Sequence, residues 1–248
     1  PLTVRKAACM PPFFARTNGF FCCPTKQRFF VERNMLKQVL LAASLLVIGL
    51  ACSAAEDAAK TYVAGTDYDV ISPPVRTGDP NKIEVAEFFW YGCSHCYSFE
   101  PILQAWEKTL PDDVSFRGIP AIWRPNMELH AKAYYTAEAL GVLDTMNPVI
   151  FQAMNVDRKQ LASQAEIAAL FTANGVSEAD FNKAFNSFGV KSQVSQATAT
   201  AKAAGLKGTP ALMVNGKYYV SGGKGGTQAD MLKVVDFLIE KERAAKVK

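Results

Sequence analysis

The hydrophobic pattern of residues 83–120 predicts a strand, a helix and a second strand. Residues 83–90 and 114–119 are apolar runs of strand length. Between them, a helix is predicted from the cysteines at 93 and 96 to about Leu110, where a Pro-Asp-Asp stretch ends it. Together they have the order and spacing of a βαβ unit.

The stretch from about Asn126 to Ala204 carries only helical signals, separated by capping residues and glycines. The pattern predicts five helices. The first covers 130–140, and the second is capped by Asn147 with Pro148 in its first turn. The third runs from a capping box at Ser163 and Glu166 to Asn174, the fourth from Ser177 to about Gly189, and the fifth covers 192–204.

Strand character returns at residues 211–214. Asn215-Gly216 predicts a type I′ turn, and residues 217–220 predict the returning strand of a hairpin. Thr227 then predicts the start of an amphipathic helix that runs to about Lys246.

The order βαβ, helical block, ββα predicts an α/β fold in which the two outer pieces share one sheet. We assign residues 66–125 and 205–246 to the two parts of the sheet-containing domain. Residues 126–204 are then an inserted all-helical domain.

A signal peptide is predicted at residues 35–54. A short positive region at Met35 and Lys37 precedes an apolar run over 39–50, and small residues follow. The run is shorter than the about 20 residues that a membrane span needs, so we expect cleavage between Ala51 and Glu56. Cys52 leaves lipid modification open as an alternative.

Residues 1–34 precede this signal, and the chain begins with Pro1 rather than Met. A signal peptide must lie near the N-terminus. We interpret the stretch as a mis-extended N-terminus with Met35 as the true start, and Met10 as the alternative start.

The positive charge of the chain belongs to this leader. The chain has 27 basic and 23 acidic residues, of which seven basic residues and one acid precede residue 55. The mature chain keeps 20 basic and 22 acidic residues, a net charge of −2. No electrostatic basis for nucleic-acid binding remains, so we expect no nucleic acid among the partners.

Removal of the leader leaves only two cysteines, Cys93 and Cys96. A disulfide that closes so short a loop is a poor structural staple, because it removes little chain entropy. A C-x-x-C pair can also supply two of the four ligands of a zinc site. The mature chain has no further cysteine, and its only histidines are His95 and His130. We interpret the pair as a redox couple, with no metal and no cofactor, and His130 as structural.

The position of the pair, where a strand meets a helix, suits thiol chemistry. Cys93 lies at the predicted helix N-terminus, whose unpaired N–H groups and dipole favour an anion. His95 can add a donor or a positive charge. We therefore expect Cys93 to be the exposed nucleophile and Cys96 the less exposed resolving thiol.

A second motif stands at Gly208-Thr209-Pro210, just before the strand at 211. A proline there suits a cis bond. The Thr209 backbone could then pair with an incoming extended peptide.

These motifs in this order resemble the thioredoxin superfamily, and specifically the DsbA family of periplasmic thiol:disulfide oxidoreductases. The resemblance covers residues from about 66 to 246. It implies a protein that donates its disulfide to reduced, newly exported proteins in the periplasm of a Gram-negative bacterium. It also implies re-oxidation by a quinone-linked membrane partner of the DsbB type, and an apolar substrate surface with Trp90, Tyr91 and Pro210.

Two features depart from the family pattern. The commonest family dipeptide between the cysteines is Pro-His, whereas this chain has Ser94 and His95. The family often pairs the strand glutamate, Glu87, with a basic residue, but alignment places Gly118 there with Arg117 beside it. Glu87 is therefore either a group that tunes the thiol pKa or an ordinary strand acid.

The alternatives are a periplasmic disulfide reductase or isomerase and a non-enzymatic chaperone that binds peptides on the same fold. Isomerases of the DsbC type carry an N-terminal dimerisation module. The mature chain has only about 28 residues before its first strong strand, which is too few for such a module. We expect a monomer.

Overall fold

The structure is a computed structural model that describes residues 61–224 and 226–246. The predicted leader, with residues 1–34, the signal at 35–54 and Cys52, lies outside these residues. None of the helices in the described part of the chain has the length and apolar character needed to cross a bilayer.

Five strands form one mixed sheet. They are β1 (Asp69–Val70), β2 (Ile83–Phe89), β3 (Val114–Pro120), β4 (Ala211–Val214) and β5 (Tyr218–Ser221). Their order in the sheet is β1-β5-β4-β2-β3. β2 and β3 are parallel and joined through helix α1 (Ser94–Glu107), whereas the other neighbouring strands are antiparallel. The predicted βαβ unit and the shared sheet are confirmed.

Every residue of the central strand β2 is buried. The two faces of the sheet belong to different apolar clusters, because side chains alternate along a strand. Val85 of β2 and Leu212 of β4 pack with α1 and with the C-terminal helix α7 (Gln228–Lys246). Ala86 and Phe88 join the cluster of the helical insertion on the other face.

Five helices lie between β3 and β4, and they confirm the helical insertion. They are α2 (Pro125–Ala139), α3 (Leu143–Asn155), α4 (Gln164–Ala173), α5 (Glu178–Phe185) and α6 (Phe188–Ala203). The predicted cap of α4 is confirmed, because Ser163 Oγ accepts from the Glu166 N–H at 3.2 Å. The box is not closed in the standard way, since Glu166 Oε2 accepts from the Ala162 N–H at 3.0 Å rather than from the Ser163 N–H.

Three predicted helix starts are wrong. α2 begins at Pro125 rather than at residue 130, because proline suits the first position of a helix. α3 begins at Leu143, with Asn147 and Pro148 inside it. The Asn147 side chain does not cap the helix, because its amide bonds to Tyr91 and Glu100. α6 begins at Phe188 rather than at residue 192, because Ser187 Oγ accepts from the Val190 N–H at 3.2 Å.

The C-terminal hairpin follows the predicted turn chemistry. Asn215 and Gly216 have φ values of +50° and +65°, as a type I′ turn requires. Thr227 Oγ1 accepts from the Asp230 N–H at 3.3 Å, and Asp230 Oδ2 accepts from the Thr227 N–H at 2.9 Å. The predicted start of α7 at Thr227 is confirmed.

Candidate redox-active site

Cys93 is the N-cap residue of α1, and both cysteines are free thiols. The Cys93 N–H donates to the Trp90 carbonyl at 2.9 Å, which holds the turn between β2 and α1. Cys93 Sγ in turn accepts from the Cys96 N–H at 3.4 Å. Cys93 is partly exposed, whereas Cys96 is 0% exposed. An incoming thiol can therefore reach only the first sulfur.

The two thiols have opposite pKa shifts. The pKa of Cys93 falls from 9.0 to about 5, because the Cys96 thiol donates to its sulfur and the backbone N–H groups of Cys96 and His95 add to this, against the opposing effect of burial. Burial raises the pKa of Cys96 far above its ordinary value, and the hydrogen bond to Cys93 and the charge of Glu87 act in the same direction. At neutral pH the dithiol therefore carries one thiolate, on Cys93.

The Gly208-Thr209-Pro210 motif lies next to the sulfur of Cys93. The peptide bond between Thr209 and Pro210 is cis, as predicted. The Thr209 carbonyl lies 3.4 Å from Cys93 Sγ, where it accepts from the thiol when the thiol is protonated. Cys93 thus lies between the first turn of α1 and the loop that precedes β4.

Beside the cysteine, on the side of the Thr209-Pro210 loop, lies a groove of about 530 Å³. It is lined by His95, Lys207, Thr209, Pro210, Gln228 and Met231, among others. The side chains of Ser94 and His95 are exposed. The effect of the His95 imidazole on Cys93 stays a prediction, because the contact that the structure gives is through the backbone of His95.

The family resemblance places Trp90 and Tyr91 on the apolar surface, but the two side chains lie in different environments. Trp90 is partly exposed. Tyr91 is only 1% exposed, and its hydroxyl donates to Asn147 Oδ1 at 2.8 Å. The expectation for Tyr91 is wrong, because α3 covers its ring with Phe151.

His130 is buried between two partners, in agreement with a structural role. Trp90 Nε1 donates to His130 Nδ1 at 3.0 Å, and His130 Nε2 lies 3.1 Å from the Gln160 carbonyl. The ring is therefore neutral with its proton on Nε2. Among the residues that the structure describes, no group of three or more His, Cys, Asp or Glu side chains could hold a metal ion.

Glu87 is a buried acid on the α1 side of the sheet. It is 4% exposed, and its Oε1 atom has no hydrogen-bond partner within the described chain. Burial, and then the charges of Glu100 and Cys93, raise its pKa well above the usual value. An acid of this kind stays protonated to a higher pH than an exposed one.

The structure explains why no basic residue could be assigned to Glu87. Its partner on β3 is Gly118, as aligned. The Tyr134 hydroxyl fills the space beside Gly118, where an added Cβ would lie 2.7 Å from it. Arg117 instead pairs with Glu84, with 3.1 Å between Nε and Oε2.

Three contacts of the site could not be found from the sequence. Gln228 Nε2 donates to the His95 carbonyl at 2.6 Å, and Asn147 links Tyr91 to Glu100. The third is the bond between Trp90 and His130. Each joins residues at least 40 positions apart, and no local pattern marks such pairs. The only signal for Gln228 was its place directly after the predicted cap Thr227.

The sheet with its helical insertion, the dithiol at a helix N-terminus and the cis-proline loop against it define a thiol:disulfide oxidoreductase of the thioredoxin fold. Residues 113–233 match the family described as DSBA-like thioredoxin domain. The thiol:disulfide interchange protein DsbA of Pseudomonas aeruginosa is 39% identical over 213 residues, which are 86% of this chain and 98% of that protein. DsbA of Azotobacter vinelandii is 39% identical over 87% of this chain and 100% of its own.

A crystal structure of Pseudomonas aeruginosa DsbA matches with a TM-score of 0.73 at 41% identity, covering 75% of this chain and 97% of that one. The structure of the Xylella fastidiosa oxidoreductase DsbA matches with a TM-score of 0.70 at 33% identity, covering 75% of this chain and 100% of that one. The chain belongs to the DsbA family, and its activity is that of a thiol:disulfide oxidoreductase.

Proposed function

We propose that this chain oxidises reduced exported proteins, with Cys93 as the attacked sulfur and Cys96 as the resolving thiol. The observation that carries the proposal is the asymmetry of the pair: Cys93 is accessible with a pKa of about 5, and Cys96 is buried with a raised pKa. A low pKa makes Cys93 a good leaving group, and disulfide exchange favours the release of such a thiol.

The reaction is an exchange of two electrons. A substrate thiolate attacks the sulfur of Cys93, the bond between Cys93 and Cys96 breaks, and Cys96 takes the electron pair and a proton. A second substrate thiolate then attacks the substrate sulfur of the mixed disulfide, and Cys93 leaves as a thiolate. The substrate gains a disulfide, and the protein ends as the dithiol.

The groove beside Cys93 suits an extended peptide of the substrate. The partly buried Pro210 supplies apolar surface, and the Thr209 backbone lies next to the sulfur. Trp90 adds an aromatic side chain at the end of β2. This arrangement supports recognition of unfolded chains through backbone pairing and apolar contact.

The compartment and the oxidant belong to the same proposal. The signal pattern at 35–54 and the bacterial relatives support export to the periplasm. A quinone-linked membrane oxidase of the DsbB type would return the dithiol to the disulfide. We expect N-terminal sequencing of the cell-derived protein to begin between Ala51 and Glu56. Retention of residues before Ala51, or a lipid on Cys52, would contradict the proposed processing.

Trapping of mixed disulfides tests the roles of the two cysteines. Cys96→Ala should accumulate mixed disulfides with exported proteins, because Cys96 can no longer attack them, while the matched variant Cys93→Ala should accumulate none. Non-reducing gels of both variants show the difference. Faster alkylation of Cys96 than of Cys93 by iodoacetamide in the reduced protein would reverse the assignment.

A further inference from the structure

One peptide group links the nucleophile to a residue on the far side of the groove. The peptide between His95 and Cys96 donates its N–H to Cys93 Sγ at 3.4 Å. The carbonyl of the same peptide, on His95, accepts from Gln228 Nε2 at 2.6 Å. Gln228, the peptide and the Cys93 sulfur therefore form a chain of two hydrogen bonds.

We propose that Gln228 is a positioning residue for the Cys93 thiolate. A hydrogen bond to the carbonyl of an amide polarises the group and makes its N–H a stronger donor. It also fixes the plane of the peptide, and hence the direction of the Cys96 N–H toward the sulfur. The proposal rests on the proposed role of Cys93 as the attacked sulfur, and it adds a residue that does not touch the sulfur itself.

The position of Gln228 is itself fixed. It is the first residue of α7, directly after the Thr227 cap that bonds reciprocally with Asp230. α7 packs beside α1 through the buried side chains of Phe99 and Val235. The donor therefore stands on a rigid element, as a positioning group must.

A purely structural tie between α1 and α7 makes a different prediction. Such a tie would stabilise the dithiol and the disulfide forms equally, because it joins the same two helices in both. A bond that strengthens donation to the thiolate favours the reduced form selectively, since only that form carries the anion.

Gln228→Met tests the proposal, because methionine has a similar length and no donor. We expect the pKa of Cys93, followed by thiolate absorbance against pH, to rise by about 0.2–0.5 units. At pH 7 the equilibrium with glutathione should shift roughly two- to threefold toward the disulfide. The reduced form should lose more thermal stability than the oxidised form.

Gln193→Met is the matched control. Gln193 donates to Glu138 Oε2 at 3.0 Å on the helical insertion, so the variant removes a similar hydrogen bond far from the peptide at 95–96. We expect it to leave the Cys93 pKa and the glutathione equilibrium unchanged.

An unchanged Cys93 pKa in Gln228→Met, with equal loss of stability in both redox forms, would overturn the proposal. Gln228 would then serve only to hold α1 and α7 together. That result is distinct from failure of the proposed function. Trapping by Cys96→Ala reports on the role of Cys93 whether or not Gln228 influences it.

Discussion

At the scale of single residues, the chemistry depends on the different environments that the fold gives to two identical side chains. Cys93 and Cys96 are both thiols on one helical turn. The first sulfur meets the N–H groups at the start of α1, and the second is enclosed between the sheet and the helices. The sequence predicts this asymmetry because a helix N-terminus favours an anion wherever it occurs.

Glu84 and Glu87 show the same contrast among the acids of β2. Glu84 is buried but pairs with Arg117 and accepts from the Gly78 N–H at 2.8 Å. No cation within the described part of the chain pairs with Glu87, and its pKa is raised. The sequence shows two glutamates on one strand, but it does not give the register that selects the partner of the arginine. Arg117 lies opposite Ala86 and so on the face of Glu84, whereas Glu87 lies opposite Gly118 on the other face.

Glu87→Gln should therefore stabilise the protein at neutral pH. The folded pKa of Glu87 is raised, so folding stability falls as the pH rises from about 4.5 toward that folded value. The neutral amide removes this decline, and we expect a gain in the free energy of unfolding at pH 7. Urea unfolding at several pH values measures it.

Glu84→Gln is the control for that experiment, since it removes the paired acid from the same strand. We expect a loss of stability, because Arg117 is left without its partner. Equal losses of stability in the two variants would mean that favourable contacts offset the burial of the Glu87 carboxylate, contrary to the geometry.

At the scale of elements, most strands and helices follow from local patterns, and each exception has a physical cause. For α3 the cause is long-range, because the Asn147 side chain bonds to Tyr91 and Glu100 instead of capping a helix. The Ser163 cap of α4 and the turn at Asn215 are chemical signals that nothing else in the described fold opposes. α6 differs because the Ser187 cap outweighs the cost of Gly189 in the first turn. Where a capping residue and a helix-breaking glycine lie within three residues of each other, the sequence pattern alone does not show which of them sets the start of the helix.

Gly189→Ala should stabilise α6. The glycine lies inside the helix, and an added Cβ would meet only Ser187 Oγ at 3.8 Å. We expect a gain of about 0.5–1 kcal/mol in the free energy of unfolding, because alanine has less conformational entropy to lose. Gly175→Ala should instead destabilise, since its φ of +90° disfavours a side chain. A loss of stability in Gly189→Ala would contradict the helix assignment, and a gain in Gly175→Ala would contradict the positive φ at Gly175.

His130 connects elements in a pH-dependent way. It bonds the end of β2 through Trp90 and the segment before α4 through Gln160. Burial lowers its pKa below 6.5, so the unfolded chain takes up a proton first as the pH falls. Stability should be full above pH 6.5 and decline from there down to the folded pKa.

The variant His130→Phe should be less stable at pH 7 and should lose less between pH 6.5 and 5 than the parent chain. Both hydrogen bonds disappear, but so does the titrating group. Chemical unfolding across this range, followed by tryptophan fluorescence, tests it. Parallel pH profiles for the two proteins would show that His130 does not titrate on unfolding.

At the scale of the whole molecule, the sequence predicts the fold because its parts occur in a diagnostic order. The dithiol after β2, the uninterrupted helical block and the Thr209-Pro210 loop before β4 define the architecture. The folded chain also has contacts between residues far apart in sequence, and the order of the motifs does not predict these contacts. Gln228 reaches α1, and Tyr91 is covered by α3 rather than exposed.

The central claim is that the fold stabilises the Cys93 thiolate and so makes the disulfide an oxidant. Because the folded pKa is about 5 and the ordinary value is 9.0, the stabilisation of the reduced form grows as the pH rises between these values and is lost as the pH falls through 5. It amounts to roughly 2–3 kcal/mol at most at pH 7.

Redox equilibration of the purified mature protein against glutathione at pH 7 tests this claim most directly. We predict that the protein is mostly in the dithiol form at a glutathione potential of about −200 mV, because the thiolate favours reduction. A protein that remains a disulfide at about −300 mV would behave as structural disulfides do, and that result would contradict its assignment as an oxidant.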